Sequence, residues 1–150
     1  MTDSLTVIVP VFNRGRFIEG TLRSILSQAP ELPILVIDNC STDDTVDVVI
    51  ELRAKHKNIT LIQNSFNFGR IENFNEGLLR CNTEWASFLI AGDKYLPNWL
   101  ETISDAIKSI SKDSLEEINL INAYSHNCKE FPGRNLIVSG NTFTHKMLSG

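Results

Sequence analysis

Cysteine is scarce: Cys40, Cys81 and Cys128 lie far apart and form no Cys-x-x-Cys pair. That excludes a disulfide framework and a structural zinc site, and it fits a reducing, cytoplasmic setting. No apolar run approaches the length of a membrane span, and the first residues carry no basic segment ahead of a long apolar one. Peripheral contact with the inner face of a membrane is the one membrane association left open. Neither charge dominates, since 14 Lys and Arg against 18 Asp and Glu leave a net charge of −4. Such a chain has no electrostatic footprint for nucleic acid, and the cluster Lys55, His56, Lys57 reads as a solvated helix end. His56, His126 and His145 are scattered without the spacing of a metal set or a catalytic triad. Also missing are a Gly-x-Ser-x-Gly elbow, a Gly-x-Gly-x-x-Gly fingerprint and a Gly-x-x-x-x-Gly-Lys-[Ser/Thr] loop.

What is present is apolar residue in short, regularly spaced runs. At 150 residues and 42% hydrophobic content the chain is long enough for one globular domain with a real core. Leu5 to Val9 is a β-branched run ended by Pro10, followed by Ile18, Leu22, Ile25 and Leu26 at helical spacing until Pro30 and Pro33. Ile34 to Ile37 predicts a second strand, Val48, Val49 and Leu52 a second helix, and Ile59 to Ile62 a third strand. Asn67 and Gly69 turn the chain into a helix carrying Ile71, Phe74 and Leu78, and Trp85 to Ile90 predicts a fourth strand. Pro97 suits the first turn of a helix lined by Leu100, Ile103, Ile107 and Ile110, which a polar break at 111–114 ends. Ile118 to Ala123 is a fifth strand candidate, Tyr124 to Arg134 a loop, and Asn135 to Val138 a short edge strand. Ser139 or Asn141 would then cap a helix containing Phe143, Met147 and Leu148. Apolar strands alternating with amphipathic helices predict an α/β fold: a mostly parallel, Rossmann-like sheet with helices on both faces.

In such a sheet the loops leaving the strands' carboxyl ends share one crevice, where ligands bind. Three loops meet that description: Pro10 to Arg14, Asp38 to Thr45, and the segment after Ile90 with Gly92 and Asp93. Phe12 offers a ring on which a base can stack, and a carboxylate at the strand tip, Asp38, can accept from a base N–H or sugar hydroxyls. Asn13 is equally a turn residue, and Ser41, Thr42, Asp43 and Asp44 are explained as a helix start. Asp38 alone has no structural duty that demands a carboxylate.

Val9-Pro10-Val11-Phe12-Asn13-Arg14 and Asp38-Asn39-Cys40-Ser41-Thr42-Asp43-Asp44-Thr45 resemble the V-P-x-[Y/F]-N and D-[D/N]-x-S-x-D-x-T patterns of the inverting GT-A glycosyltransferases of family 2. Asn64, Asn67-Phe68-Gly69-Arg70 and Asn75 resemble the N-x-G-x-x-x-x-x-N stretch of those enzymes, and Phe88 to Pro97 stands where they carry the DxD region. The resemblance covers about residues 5 to 110 and more faintly the remainder. It implies a GT-A fold, a nucleotide-diphosphate-sugar donor, most often a UDP-sugar, and an acceptor hydroxyl on a glycan or lipid-linked molecule in polysaccharide or glycan biosynthesis. Pro10, Phe12, Asn13, Asp38, Asn39 and Arg70 would line the nucleotide-sugar site, with Arg70 near base or phosphate. Asp93 would stand beside the diphosphate as ligand to a divalent metal, Mn2+ or Mg2+.

The resemblance also implies that residues 1–150 are a single GT-A-like donor-binding domain, truncated at its carboxyl end, whose acceptor part and general base lie beyond residue 150. An open sheet edge there would expose apolar surface and favour either a homodimer or poor solubility in isolation. Family members usually carry two or three acidic residues where Leu89 to Lys94 has Asp93 alone, with Lys94 expected to point into solvent. That departure keeps a second function in play, a catalytically inactive nucleotide-sugar-binding or interaction module. A nucleotidyltransferase is a third, and it would want a Gly-rich phosphate loop after the first strand.

Overall fold

A computed structural model describes residues 5–109, 120–124 and 134–139. The elements run β1 (Leu5–Val11), α1 (Gly15–Leu26), β2 (Ile34–Asp38), α2 (Thr45–Lys55), β3 (Ile59–Gln63), α3 (Arg70–Arg80), β4 (Trp85–Phe88), α4 (Trp99–Ser109), β5 (Leu120–Tyr124) and β6 (Arg134–Ser139). They form a six-stranded sheet of order β3-β2-β1-β4-β6-β5. The first four strands pair in parallel, and β6 lies antiparallel to both β4 and β5. This is the mostly parallel α/β sheet that alternation of strand and helix predicts. The stretch expected as an edge strand, Asn135 to Val138, is interior instead, and β5 takes the edge. Neither pairing partner nor direction can be read from a run this short. The expected helix over 141–148, the polar break at 111–114 and the middle of the expected loop lie outside the described residues.

All seven residues of β1 are buried. Leu5, Val7, Val9 and Val11 face one core with Ile34 and Val36, covered by Ile18, Leu22 and Ile25 of α1, Val49 and Leu52 of α2, and Trp99 and Ile103 of α4. Ile8 faces the other way with Leu35 and Ile37, against which Leu78 of α3 packs. Burial on both faces explains why these strands are continuously apolar rather than alternating.

Pro10 does not end β1, which pairs through Pro10↔Ile37 to Val11↔Asp38. The amides of Val7 and Asn39 bond across the β1–β2 seam, whereas Ile8 accepts on the β4 side from Leu89 N–H. Since alternate residues of a strand face alternate neighbours, Pro10 also faces the β4 side. There β4 has already stopped at Phe88 opposite Ile8, so the missing N–H costs no ladder bond.

The stripe expected on α3 is partly turned. Ile71 is 52% exposed, while Asn73 and Gly77 are buried. Gly77 lets α3 lie against the sheet, because a Cβ there would come within 2.5 Å of Ile8 Cγ2. Pro97 sits in the turn before α4 rather than in its first turn.

Gly77→Ala is therefore expected to lower stability by about 1–3 kcal/mol, the usual cost of overpacking a tight contact. Denaturant unfolding measures it; an unchanged or raised midpoint would mean that α3 is not seated by this glycine.

Candidate functional site

The strand order places β2 and β4 on opposite sides of β1, so the chain switches direction across the sheet between β1 and β4. The crevice at such a switch point is bounded by the loops after β1, β2 and β4, the three singled out from the sequence. The row Val11, Asp38, Gln63 closes the carboxyl ends of β1, β2 and β3 in register. Asp38 is thus the last strand residue, and Phe12 follows directly behind its partner.

The first two loops are tied together by exchanged hydrogen bonds. Asn13 N–H donates to Ser41 Oγ at 2.9 Å, Arg14 N–H to Thr45 Oγ1 at 2.9 Å, and Gly15 N–H to Asp43 Oδ2 at 3.1 Å. In return Thr42 N–H donates to Asn13 Oδ1 at 2.8 Å. The other oxygen of Asp43 accepts from the amide and the hydroxyl of Thr45. The segment expected to be only a helix start therefore does more. Asp44, the residue preceding α2, makes no side-chain capping bond, and Asp43 serves the first amides of both α1 and α2. Asn13 and Cys40 take positive φ, 49° and 63°. A left-handed cysteine is uncommon, and these bonds on either side hold it there.

Asp38 is 1% exposed. Its Oδ2 accepts from Ser41 N–H at 3.1 Å, so it has a structural duty after all, while its Oδ1 is buried with no hydrogen-bond partner among the described residues. A buried acceptor left unpaired costs about 1–3 kcal/mol, which marks Oδ1 as waiting for a donor. Phe12 is 42% exposed, unlike the rest of the strand it follows.

Asn39 is placed otherwise than as a direct ligand contact. Its Nδ2 donates to Asn67 Oδ1 at 2.8 Å and Gly69 O at 3.1 Å, and its Oδ1 accepts from Asn64 Nδ2 at 3.1 Å and Phe68 N–H at 3.0 Å. All four bonding positions of the amide are spent within the protein. Asn64 also donates to Asn73 Oδ1 at 2.9 Å, and Asn73 Nδ2 to Ile37 O at 3.0 Å. This network fixes the loop between β3 and α3, on which Phe66 and Phe68 stand exposed with ring centroids 3.9 Å apart. Arg70 follows Gly69, whose φ is 88°, and opens α3 exposed, with no side-chain bond to a described residue. A cation at a helix N-terminus is disfavoured by the helix dipole, so a nearby anion would stabilise it there.

After β4, Asp93 is exposed and its carboxylate makes no bond within the described residues. Its backbone is held: Thr21 Oγ1 accepts from Gly92 N–H at 2.9 Å and donates to Asp93 O at 2.8 Å. Lys94 is exposed and lies along α1, its Cε and Nζ at 3.0 and 3.4 Å from where a Cβ on Gly20 would stand. Among the described residues no group of three or more His, Cys, Asp or Glu gathers to hold a metal. The donor set near Asp93 is one carboxylate. That fits a hard cation completing its shell with water and phosphate oxygens, and it does not fit a metal caged by protein alone.

Thr21, with Ser24 and Gln28 beside it, was not legible as a site feature. The signal is the spacing i, i+3 of Thr21 and Ser24 on α1, continued by Gln28 in the turn after it, next to the apolar stripe of Ile18, Leu22 and Ile25. No helix among the described residues is long and apolar enough to cross a membrane.

The Asp43 carboxyl is held below its ordinary value of 3.8, chiefly by the Thr45 hydroxyl and further by the amides of Gly15 and Thr45. A depressed folded-state value means stability present above the unfolded pKa and lost as pH falls through the folded one. Asp43→Asn should lower the melting temperature at neutral pH and flatten its fall on acidification below about pH 4. Melting temperature against pH for both proteins measures this; parallel curves would show that the clamp carries no linkage.

The family model described as Glycosyl transferase family 2 matches residues 6–130. The Campylobacter jejuni GalNAc(5)-diNAcBac-PP-undecaprenol beta-1,3-glucosyltransferase is 37% identical over 101 residues, 66% of this chain and 33% of that protein. S. aureus TarS 1-349, solved in complex with UDP-GlcNAc, superposes with a TM-score of 0.69 at 27% identity, over 87% of this chain and 37% of that one. Mannosyltransferase PcManGT of Pyrobaculum calidifontis, solved in complex with GDP-Man and Mn2+, gives a TM-score of 0.65 at 27% identity, over 74% of this chain and 33% of that one. The chain spans about a third of the length of the curated relatives it matches.

Proposed function

The chain belongs to glycosyl transferase family 2, and from that membership we propose that its crevice binds the nucleotide-diphosphate sugar donor of an inverting sugar transfer, a UDP-sugar foremost. The observation that carries this reading is the buried, unpaired Oδ1 of Asp38 behind the exposed ring of Phe12. A base stacked on Phe12 presents an N–H edge, and Oδ1 is an acceptor with no other use. Pro10 to Asn13 shape the floor of that pocket, and Asn39 holds the neighbouring loop rather than touching the nucleotide.

The diphosphate is directed away from the start of α1, because the Arg14 and Gly15 amides are already bonded to Thr45 and Asp43. It extends instead toward Asp93, with Arg70 as counter-charge. Asp93 would hold a divalent cation there, which would supply neutralisation of the charge developing on the diphosphate. Arg70 contributes to the same neutralisation from the loop after β3. The acceptor hydroxyl attacks the anomeric carbon from the face opposite the diphosphate. The bond to the diphosphate oxygen breaks, and the hydroxyl proton passes to a base that none of the described residues is assigned to be. The undecaprenol in the name of the Campylobacter jejuni relative supports a lipid-linked acceptor.

Calorimetry with UDP, GDP and dTDP, each with and without Mn2+, tests the reading. UDP should bind tightest, and Mn2+ should strengthen it. Asp38→Asn keeps an oxygen for Ser41 N–H and turns the other side into a donor, so it should cost about 1–3 kcal/mol of nucleotide binding with little change in melting temperature. Absence of binding to every nucleotide at about millimolar concentration, a Kd range any specific site exceeds, would overturn the reading.

A further inference from the structure

Residues 92–96, between β4 and α4, lie in no strand or helix, yet four of their backbone groups bond to side chains of α1 and of the turn that follows it. Gly92 N–H and Asp93 O both meet the hydroxyl of Thr21, which is fully buried. Tyr95 N–H donates to Ser24 Oγ at 3.1 Å, and Gln28 Nε2 donates to Leu96 O at 3.0 Å. These side chains do for 92–96 what a neighbouring strand would do. Below them Tyr95 is buried, stacked on Trp99 at 3.6 Å and sharing a 2.6 Å hydrogen bond with Ser87.

The grip of Thr21 on both sides of Gly92, whose φ is 115°, fixes the direction in which the chain leaves that residue. Asp93 and Lys94 are thereby committed to opposite tasks: the carboxylate stays free, and the lysine lies along α1 over Gly20. At its other end α1 is tied to the loop after β2 through the Arg14 and Gly15 amides. One helix therefore braces the loops that follow Phe12 and Asp38, after β1 and β2, and the loop that carries Asp93.

We propose that Thr21 and Ser24 of α1, with Gln28 in the turn that follows it, are positioning residues, a polar stripe that sets Asp93 relative to the nucleotide pocket so that the two ends of a nucleotide diphosphate are read in one rigid frame. This rests on the reading of the crevice as a nucleotide-diphosphate site. The stripe touches neither base nor diphosphate itself; it acts through the backbone of 92–96.

Thr21→Val keeps the shape and removes the hydroxyl. It should weaken binding of UDP with Mn2+ about fivefold, the worth of one net hydrogen bond, and leave uridine binding unchanged. Thr21→Ser should restore the UDP affinity. In the unliganded chain, amide hydrogen exchange at Gly92 should accelerate by a similar factor in Thr21→Val, and at Tyr95 in Ser24→Ala. Ser24→Ala also serves should Thr21→Val fail to fold. Equal losses for uridine and UDP would make Thr21 a general stability residue and overturn the proposal, as would unchanged exchange at 92–95. If the unmodified chain binds neither uridine nor UDP, the donor-site reading falls by itself. The exchange measurement then decides the brace, with unchanged rates rejecting it.

Discussion

The structure hangs on the carboxylate of Asp43, which accepts the Gly15 amide at the start of α1 and the Thr45 amide at the start of α2. Two helix N-termini, each a partial positive charge with orphan amides, converge on one side chain. In dinucleotide-binding folds the start of the first helix is the place a pyrophosphate occupies, and glycines clear the way for it. Here a protein carboxylate stands there. That accounts for Pro10-Val11-Phe12-Asn13 where a glycine-rich turn would be, and it leaves the first helix free to act as a strut. It also separates this crevice from the nucleotidyltransferase alternative, which needs a phosphate loop at that spot.

A second neutral lattice complements this charged one. Asn39, Asn64, Asn67 and Asn73 knit β2, β3 and the start of α3 through side-chain amides. An amide carries donors and an acceptor together, so it satisfies backbone N–H and C=O groups in a confined space without burying a charge. The side chains of Asp38 at the strand tip, Asp93 across the switch point and Arg70 at the start of α3 take no part in this neutral network.

How much of this the sequence carries depends on the range of the interaction. The strands and helices follow from periodicity, because burial on both faces of β1 and β2 imprints unbroken apolar runs and each helix imprints its stripe. The three crevice loops follow from topology once the alternation is seen. The partners of Asn13, Arg14 and Gly15 are another matter, lying 28 to 31 positions away. Ser41 to Thr45 have the composition of an ordinary helix start, and nothing local distinguishes a cap for α2 from a clamp on α1. Thr21 is likewise hidden, since a threonine in a helix has no pattern that announces a partner 71 or 72 positions on. The misjudged face of α3 has the same origin: Gly77 and Asn73 are buried because of what Ile8 and Ile37 present to them, while Ile71 is apolar yet outward.

Asp38 is where these strands of argument meet. Its Oδ2 anchors the turn that Ser41 begins, a task an asparagine oxygen would perform as well. An asparagine would put a buried N–H2 donor where Oδ1 stands, so what the carboxylate provides at that place is an acceptor. A residue whose second oxygen is buried and idle destabilises the chain by itself, by about as much as one lost hydrogen bond. Such a cost persists at functional sites, where it is recovered when a ligand supplies the missing donor. The same oxygen sits one strand from Phe12 and on the frame that α1 shares with Asp93. On the proposed reading the unsatisfied acceptor, the exposed ring and the braced carboxylate serve one donor site, with the clamp at Asp43 fixing the loops after β1 and β2.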